Sequence, residues 1–440
     1  MVKIVPFNGI IYDVNKIDDI KNVITQPYDK ISNQLQEEYY QASPYNIIRI
    51  EKGKPTAQDN DQANVYTRAH DTFEDWLKAN ILIKTKEPAL FYLEQEYEID
   101  NVRKIRKGLI AMGKLEEYAN GVIFPHEQTL KGPKIDRLNL FRSTKANFGQ
   151  IFLLYSDKQK QVTSAIEKVK SAEYFSFTDP DGVINRLFII NDKQTITEIE
   201  KLMADKQLFI ADGHHRYETA LAFKKEMNDK FPNSDANSAF NFCMMTMINM
   251  DDEGLTILPT HRLVKNIPNF NSSDLLSKIG QYFEIDKLDN KLSTQEIINK
   301  LYSQAKPSFV FLSADSADKY LLEVKDVNQI PALKSHSQVT RNLDVAILHD
   351  SILEPMLGID KKALADQSYL DYRRSAQSCI DMINKKQYQA LFLLRPTKAQ
   401  EVRDVALERE TMPQKSTDFY PKILTGYVIA DISEKIVLKN

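Results

Sequence analysis

Cysteine is almost missing from this chain: Cys243 and Cys379 are the only two in 440 residues, and they stand far apart. They cannot form a disulfide framework or a four-cysteine zinc site, and a reducing cytoplasm suits such a composition. Long apolar runs are missing too. The opening MVKIVPFNGIIYDV lacks the apolar core and cleavage pattern of an export signal, and the run around Phe240 to Met250 is too short to span a bilayer. A cytoplasmic protein without a membrane partner is expected. Charge of one sign is also absent: 58 basic and 61 acidic residues leave a net charge of -3, giving no electrostatic reason to expect nucleic acid as a partner. No internal repeat and no low-complexity tract occurs. Spacing excludes two further chemistries. A zincin needs a second histidine four residues after His126, where Leu130 stands, and no Gly-x-x-x-x-Gly-Lys precedes Lys415-Ser416-Thr417, so there is no Walker loop.

What is present is a folded chain, 42% hydrophobic and long enough for two or three domains. Its organising stretch is Gln207 to Phe223. Leu208, Phe209 and Ile210 form a short apolar run, as in a buried strand, and Asp212-Gly213 breaks it. Tyr217, Ala220, Leu221 and Met227 then recur at helical steps. The stretch reads as strand, tight turn and helix. A helix N-terminus carries positive partial charge, yet His214, His215 and Arg216 crowd its first turn. An anion would remove that conflict, and Gly213 would let a phosphate approach the backbone. In the plainer alternative, Asp212 simply caps the helix and the histidines sit neutral on the surface.

Elsewhere the pattern predicts strands near Ile4 and Ile10, a Ser32-capped helix to Gln41, and a strand through Ile47, Ile48 and Ile50. The loops around Thr25 to Asp29 and Ser43 to Asn46 read as plain turns. An amphipathic helix from Asp59 to Ala79 places Trp76 in the core, and a hairpin turns at Asp100-Asn101. Asn120 to Gln150 is a long polar passage. In it His126 and Glu127 are candidate acid/base groups, while Lys131, Lys134, Arg137, Arg142 and Lys145 either surround phosphate oxygens or form a solvated basic helix face. Strands and helices then alternate, and the His261-Arg262 pair falls at a strand end. The whole reads as an α+β fold with mixed α/β layers. Three parts are expected: a core over 1–265 carrying the phosphate-binding turn, an α+β subdomain over 266–342, and an α/β segment over 343–440 packing back on the core.

The stretch Ala211-Asp212-Gly213-His214-His215-Arg216-Tyr217-Glu218-Thr219-Ala220 resembles the bacterial family called domain of unknown function 1015. Gln26-Pro27-Tyr28-Asp29, His126-Glu127-Gln128-Thr129, Gly132-Pro133-Lys134 with Asp136-Arg137-Leu138, Leu258-Pro259-Thr260-His261-Arg262 and Met412-Pro413-Gln414-Lys415-Ser416-Thr417 resemble its other motifs. The turn itself is similar to the ParB and sulfiredoxin superfamily, whose corresponding turn holds nucleotide phosphates. Sulfiredoxin-type turns have a cysteine where this chain has His214, so sulfinic-acid repair is not expected. ParB-type turns have Glu-Arg-Arg where this chain has His214-His215-Arg216. Free-serine kinases resemble it more closely, through Asp212-Gly213-His214.

The resemblance implies a phosphotransferase acting on a small hydroxyl metabolite, with L-serine and O-phosphoserine the expected pair and phosphatase-like hydrolysis a neighbouring activity. His214, His215, Arg216 and Gly213 would stabilise the phosphoryl group, and Asp212 would bind Mg2+. Glu127 or His126 would serve as base, and Lys131, Lys134, Arg137, Lys415, Ser416 and Thr417 would contact phosphate or nucleotide. ATP, ADP or pyrophosphate would be the donor. The alternative is a ParB-like regulatory switch that binds CTP or ATP and signals to a partner.

Overall fold

The computed structural model describes residues 1–127, 132–365 and 368–438. Two compact units emerge, one from Met1–Phe124, Thr129–Thr256 and Pro421–Asn440, the other from Pro125–Gln128 and Ile257–Tyr420. Both mix helices with sheet, so the α+β class read from sequence holds.

The first unit is built on a nine-stranded mixed sheet. Its strands are β1 (Ile4–Val5), β2 (Leu90–Ile99), β3 (Val102–Lys114), β4 (Ile123–Phe124), β5 (Ile151–Tyr155), β6 (Phe175–Thr178), β7 (Ile184–Ile190), β8 (Leu208–Asp212) and β9 (Phe242–Asn249). They lie in the order β4-β8-β5-β9-β3-β2-β7-β6, with β1 beside the far end of β3. The expected hairpin is there: β2 and β3 pair from Ile99↔Val102 to Phe91↔Ile110. Its two turn residues, Asp100 and Asn101, have φ of 51° and 60°, the left-handed pair that a two-residue hairpin turn requires.

Helices cover this sheet. They are α1 (Asn33–Ala42), α2 (Ile48–Glu51), α3 (Val65–Lys78), α4 (Gly132–Thr144), α5 (Gln161–Val169), α6 (Lys193–Ala204) and α7 (His214–Lys230). Ser32 caps α1 through the Leu35 amide, as expected. Three expectations change. Ile48–Glu51 is helix with Ile47 as its N-cap, not strand, because the Asn46 side chain accepts from the Ile48 amide and starts a turn. The helix expected from Asp59 begins only at Val65, where Asn64 and Thr67 form a capping box. Much of the polar passage after Asn120 is the helix α4, packed between α3 and α7. Phe141 meets Phe223 edge-on at 5.8 Å across the α4–α7 contact.

The second unit carries a six-stranded antiparallel sheet of β10 (His261–Val264), β11 (Phe283–Leu288), β12 (Ser308–Ser313), β13 (Lys319–Val324), β14 (Leu370–Arg373) and β15 (Ala390–Leu393). The order is β11-β13-β12-β15-β10-β14. Leu263, Ile297, Val310, Ile380 and Leu391 belong to the core on one face. Among the described residues, no helix is long and apolar enough to cross a membrane.

Candidate functional site

The strand, turn and helix anticipated around Gly213 form as β8 and α7. Strand β8 is buried over Leu208 to Ala211, and its register against β5 slips between Ile210 and Asp212. Such an irregularity re-aims the residues around it at a strand end. Gly213 follows with φ 95° and ψ 26°, a left-handed conformation that glycine adopts without strain. It is itself the N-cap, and as a glycine it makes no side-chain cap hydrogen bond. The capping role considered for Asp212 is therefore not the one it has. The buried face of α7 uses Tyr217, Ala220, Phe223 and Met227, with Phe223 in the place expected for Leu221.

His214 and Arg216 are buried at the start of this helix rather than displayed on the surface. Arg216 folds back on the turn: a Cβ added at Gly213 would lie 3.1 Å from its Nε and Nη2. Its Nη1 donates to the Gln150 carbonyl at 2.5 Å. Asp212 retains 28% side-chain exposure, with Lys422 Nζ 3.8 Å and Arg216 Nη2 4.0 Å from its Oδ2. Burial works against its charge, but Lys422, Arg216, Lys30 and His214 outweigh burial and hold the carboxyl well below the usual range. The carboxylate is ionised and surrounded by cations.

A second buried cluster adjoins Arg216. Arg137 of α4 has its Nη1 3.1 Å from Glu51 Oε1, and both side chains are nearly inaccessible. Its Nη2 is also 2.6 Å from Asp136, and its guanidinium lies over the Tyr28 ring at 4.4 Å. Burial pushes Glu51 up from the ordinary carboxyl value despite Arg137 and Arg216. A Cβ at Gly149 would stand 3.3 Å from Arg216 Nη1 and 3.6 Å from Glu51 Oε1, so the two groups flank that glycine. Glu51, Arg137, Gly149 and Arg216 all line one small internal cavity of about 10 Å³, roughly the space of one water. The Tyr28 loop, read as a plain turn, thus covers an arginine of this cluster.

The other basic residues of α4 have acidic partners. Lys134 pairs with Glu218. Arg142 pairs with Glu226 and Lys145 with Glu434. Each of these three cations thus has a carboxylate partner. Lys131 lies outside the described residues.

His126, Glu127, Lys415, Ser416 and Thr417 belong to the second unit, and the fold brings these two distant motifs together. The Met412 amide donates to the His126 carbonyl at 2.8 Å. His126 Nε2 is 3.0 Å from Thr417 Oγ1, and Glu127 Oε1 accepts from the Lys415 amide at 2.9 Å. Ser416 is buried, its hydroxyl donating to the Pro413 carbonyl at 2.5 Å. Arg262 joins this group, donating to the Thr260 and Lys415 carbonyls and lying 5.4 Å from the Tyr372 ring. Burial pushes Arg262 down to about 10, opposed by Tyr372 and Glu127. His261 beside it is pushed down to about 4, first by burial and then by Arg262, and its Nδ1 accepts from the Leu394 amide at 3.2 Å.

Sequence reasoning did not single out Glu51, Lys30 or Lys422. Glu51 follows an isoleucine-rich run and Lys422 stands in a C-terminal segment without a motif, so local pattern carried no sign of either. Tyr28 lay within a recognised motif, which was the available signal.

A family model described as "Protein of unknown function (DUF1015)" matches residues 4–346. The chain belongs to this family. The matched span includes the Asp212-Gly213-His214 turn and the Leu258 to Arg262 motif, while Met412 to Thr417 lies beyond it. No curated protein matches the chain. Among solved structures, a free serine kinase in complex with AMP is similar at 8% identity and a TM-score of 0.34, over 71% of this chain and 86% of that one. A conserved hypothetical protein from Pyrococcus furiosus is similar at 11% identity and 0.34, over 76% and 98%. SbnI from Staphylococcus aureus, truncated at its C-terminus, is similar at 10% identity and 0.33, over 72% and 85%. None of these three likenesses bears on the chemistry assigned to the site.

Proposed function

We propose that this DUF1015 protein is a phosphotransferase acting on a small hydroxyl metabolite, with free L-serine and O-phosphoserine as the pair. The observation that carries the reading is the Asp212 carboxylate, kept ionised among Lys422, Arg216, Lys30 and His214 beside the glycine that begins α7. Phosphoryl transfer is chiefly positioning and charge stabilisation, and a helix start with adjoining cations supplies both for phosphate oxygens. His214, His215 and Arg216 hold the transferring group, and Gly213 gives it access to the backbone. The strand-Gly-helix turn is read here as a ParB/sulfiredoxin-like phosphate turn of the serine-kinase kind.

Mg2+ fits the donor set at Asp212, because Mg2+ uses one or two carboxylates and completes its shell with water and substrate phosphates. When bound, it would neutralise charge on the phosphates of ATP, ADP or pyrophosphate. Glu51, buried and paired with Arg137, is a positioning group that holds the two arginines in place and does not itself meet substrate. Lys134 and Arg137 support the same unit. Lys415, Ser416 and Thr417, with His126, Glu127 and Arg262, form a polar group of their own in the second unit.

Phosphorus NMR of the purified protein with Mg2+, offering serine or O-phosphoserine together with ATP, ADP or pyrophosphate, tests this reading. Transfer that disappears in His215→Ala is the expected result and identifies the donor. Silent spectra alongside tight nucleotide binding would replace the enzyme with a CTP- or ATP-binding regulatory switch.

A further inference from the structure

The second unit holds a side-chain cluster that takes no part in the chemistry above. The chain from Asp344 changes its winding: Asp344–Leu348 is α-helical, His349–Leu353 is π-helical, and Glu354–Leu357 is α-helical again. In the π turn bonding runs from residue i to i+5, so residue 354 is brought back over residue 349 instead of being carried round the helix. His349, Asp350 and Glu354 therefore converge, one ligand atom from each lying within 4.8 Å of the others. His349 Nε2 is 4.0 Å from Glu354 Oε2. A second imidazole adjoins them: His336 Nε2 is 3.1 Å from Asp350 Oδ2, and its Nδ1 is 3.7 Å from Glu410 Oε2. Exposure runs from 7% at His349 to 46% for the Glu354 side chain, so the cluster opens from the interior to solvent.

We propose that His349, Asp350 and Glu354 bind a divalent transition-metal ion of the zinc class, with His336 positioning the Asp350 carboxylate. One imidazole nitrogen and two carboxylate oxygens suit zinc and its neighbours, whereas Mg2+ and Ca2+ prefer oxygen alone. Ligands at about 2.0–2.2 Å from a shared ion stand no more than about 4.4 Å apart; His349 and Glu354 already meet that limit, and small side-chain rotations bring the whole set within it. His336 Nε2, 3.1 Å from Asp350 Oδ2, is the kind of outer hydrogen-bond partner that orients a ligating carboxylate. A purely acidic cluster would lack this selectivity. These residues belong to the second unit and Asp212 to the first.

The test is calorimetric titration of ZnCl2 into the full-length, tag-free protein after treatment with EDTA and dialysis, repeated in the presence of excess MgCl2. One zinc per chain that Mg2+ does not displace is expected. His349→Ala and Glu354→Gln should each weaken binding at least about tenfold, and His336→Ala should weaken it by a smaller factor. Circular dichroism of each metal-free variant checks folding, and the exposed Glu354→Gln keeps the test decisive if His349→Ala does not fold. Absence of zinc binding by the parent protein, unchanged affinity in Glu354→Gln, or displacement by Mg2+ would each overturn the assignment.

Discussion

Replacing Gly213 separates what the turn does for the fold from what it does for chemistry. At φ 95° the backbone occupies the left-handed region, so Gly213→Ala costs about 1–2 kcal/mol from that alone. The new Cβ would also stand 3.1 Å from Arg216 Nε and Nη2. Arg216 cannot simply swing away, because its Nη1 is tied to the Gln150 carbonyl. For a unit of this size each kcal/mol lowers the melting temperature by about 2–4 °C, so a fall of about 2–8 °C is expected in a thermal melt followed by circular dichroism. Asparagine tolerates left-handed backbone, so Gly213→Asn should recover most of that loss. It should not recover phosphoryl transfer, because its Cβ meets the same guanidinium. Melting of Gly213→Ala together with the parent, or full turnover in Gly213→Asn, would refute the reasoning.

Three further outcomes follow from the same geometry. Removing Arg137 strands the buried Glu51 carboxyl, so Arg137→Met should cost about 3–5 kcal/mol in urea unfolding, and adding Glu51→Gln should return part of it. His261 ordinarily titrates near 6.5 but is pushed to about 4 in the fold. The unfolded chain therefore takes up a proton that the folded protein refuses, so its contribution is intact above about pH 6.5 and about 3 kcal/mol is lost as pH falls towards 4. Urea unfolding across that window should show the slope, and His261→Gln should flatten it. Asp212→Asn keeps the shape of the turn but removes its charge, and should lower phosphoryl transfer by about 100-fold or more, with circular dichroism confirming that the variant is folded at the assay temperature.

The central turn was legible because its signals are local: three apolar residues, an Asp-Gly break, and helical spacing within twenty positions. The hairpin at Asp100-Asn101 was legible for the same reason. Ile47 to Ile50 misled because β-branched residues favour strands, whereas here Ile47, Ile48 and Ile50 are all buried and Asn46 fixes the turn. With Arg49 the only side chain of the four not buried, the polar face was too short to reveal the helical period. The pairing of His126 and Glu127 with Lys415 and Thr417 spans about 290 residues, and only tertiary structure could disclose it. Glu51 shows the same limit more sharply, since its chemistry arises from burial beside two arginines that stand 86 and 165 positions further along.

The charges around Asp212 narrow the class of ligand. A bare divalent cation approaching that carboxylate would meet Lys422 and Arg216, each within 4.0 Å of Oδ2, together with the fields of Lys30 and His214. A bare anion drawn to the same cations and to the helix start would meet Asp212 itself. On the proposed function a phosphate carrying Mg2+ would resolve both conflicts: Asp212 would hold the ion, and Lys422, Lys30, Arg216 and the start of α7 would hold the phosphate. Binding of ADP or pyrophosphate should therefore depend strongly on Mg2+ in the parent protein and far less in Asp212→Asn, where no carboxylate remains to recruit the ion. Equal Mg2+ dependence in the two proteins, measured by calorimetry, would move the metal away from Asp212 and leave the turn as an anion site alone.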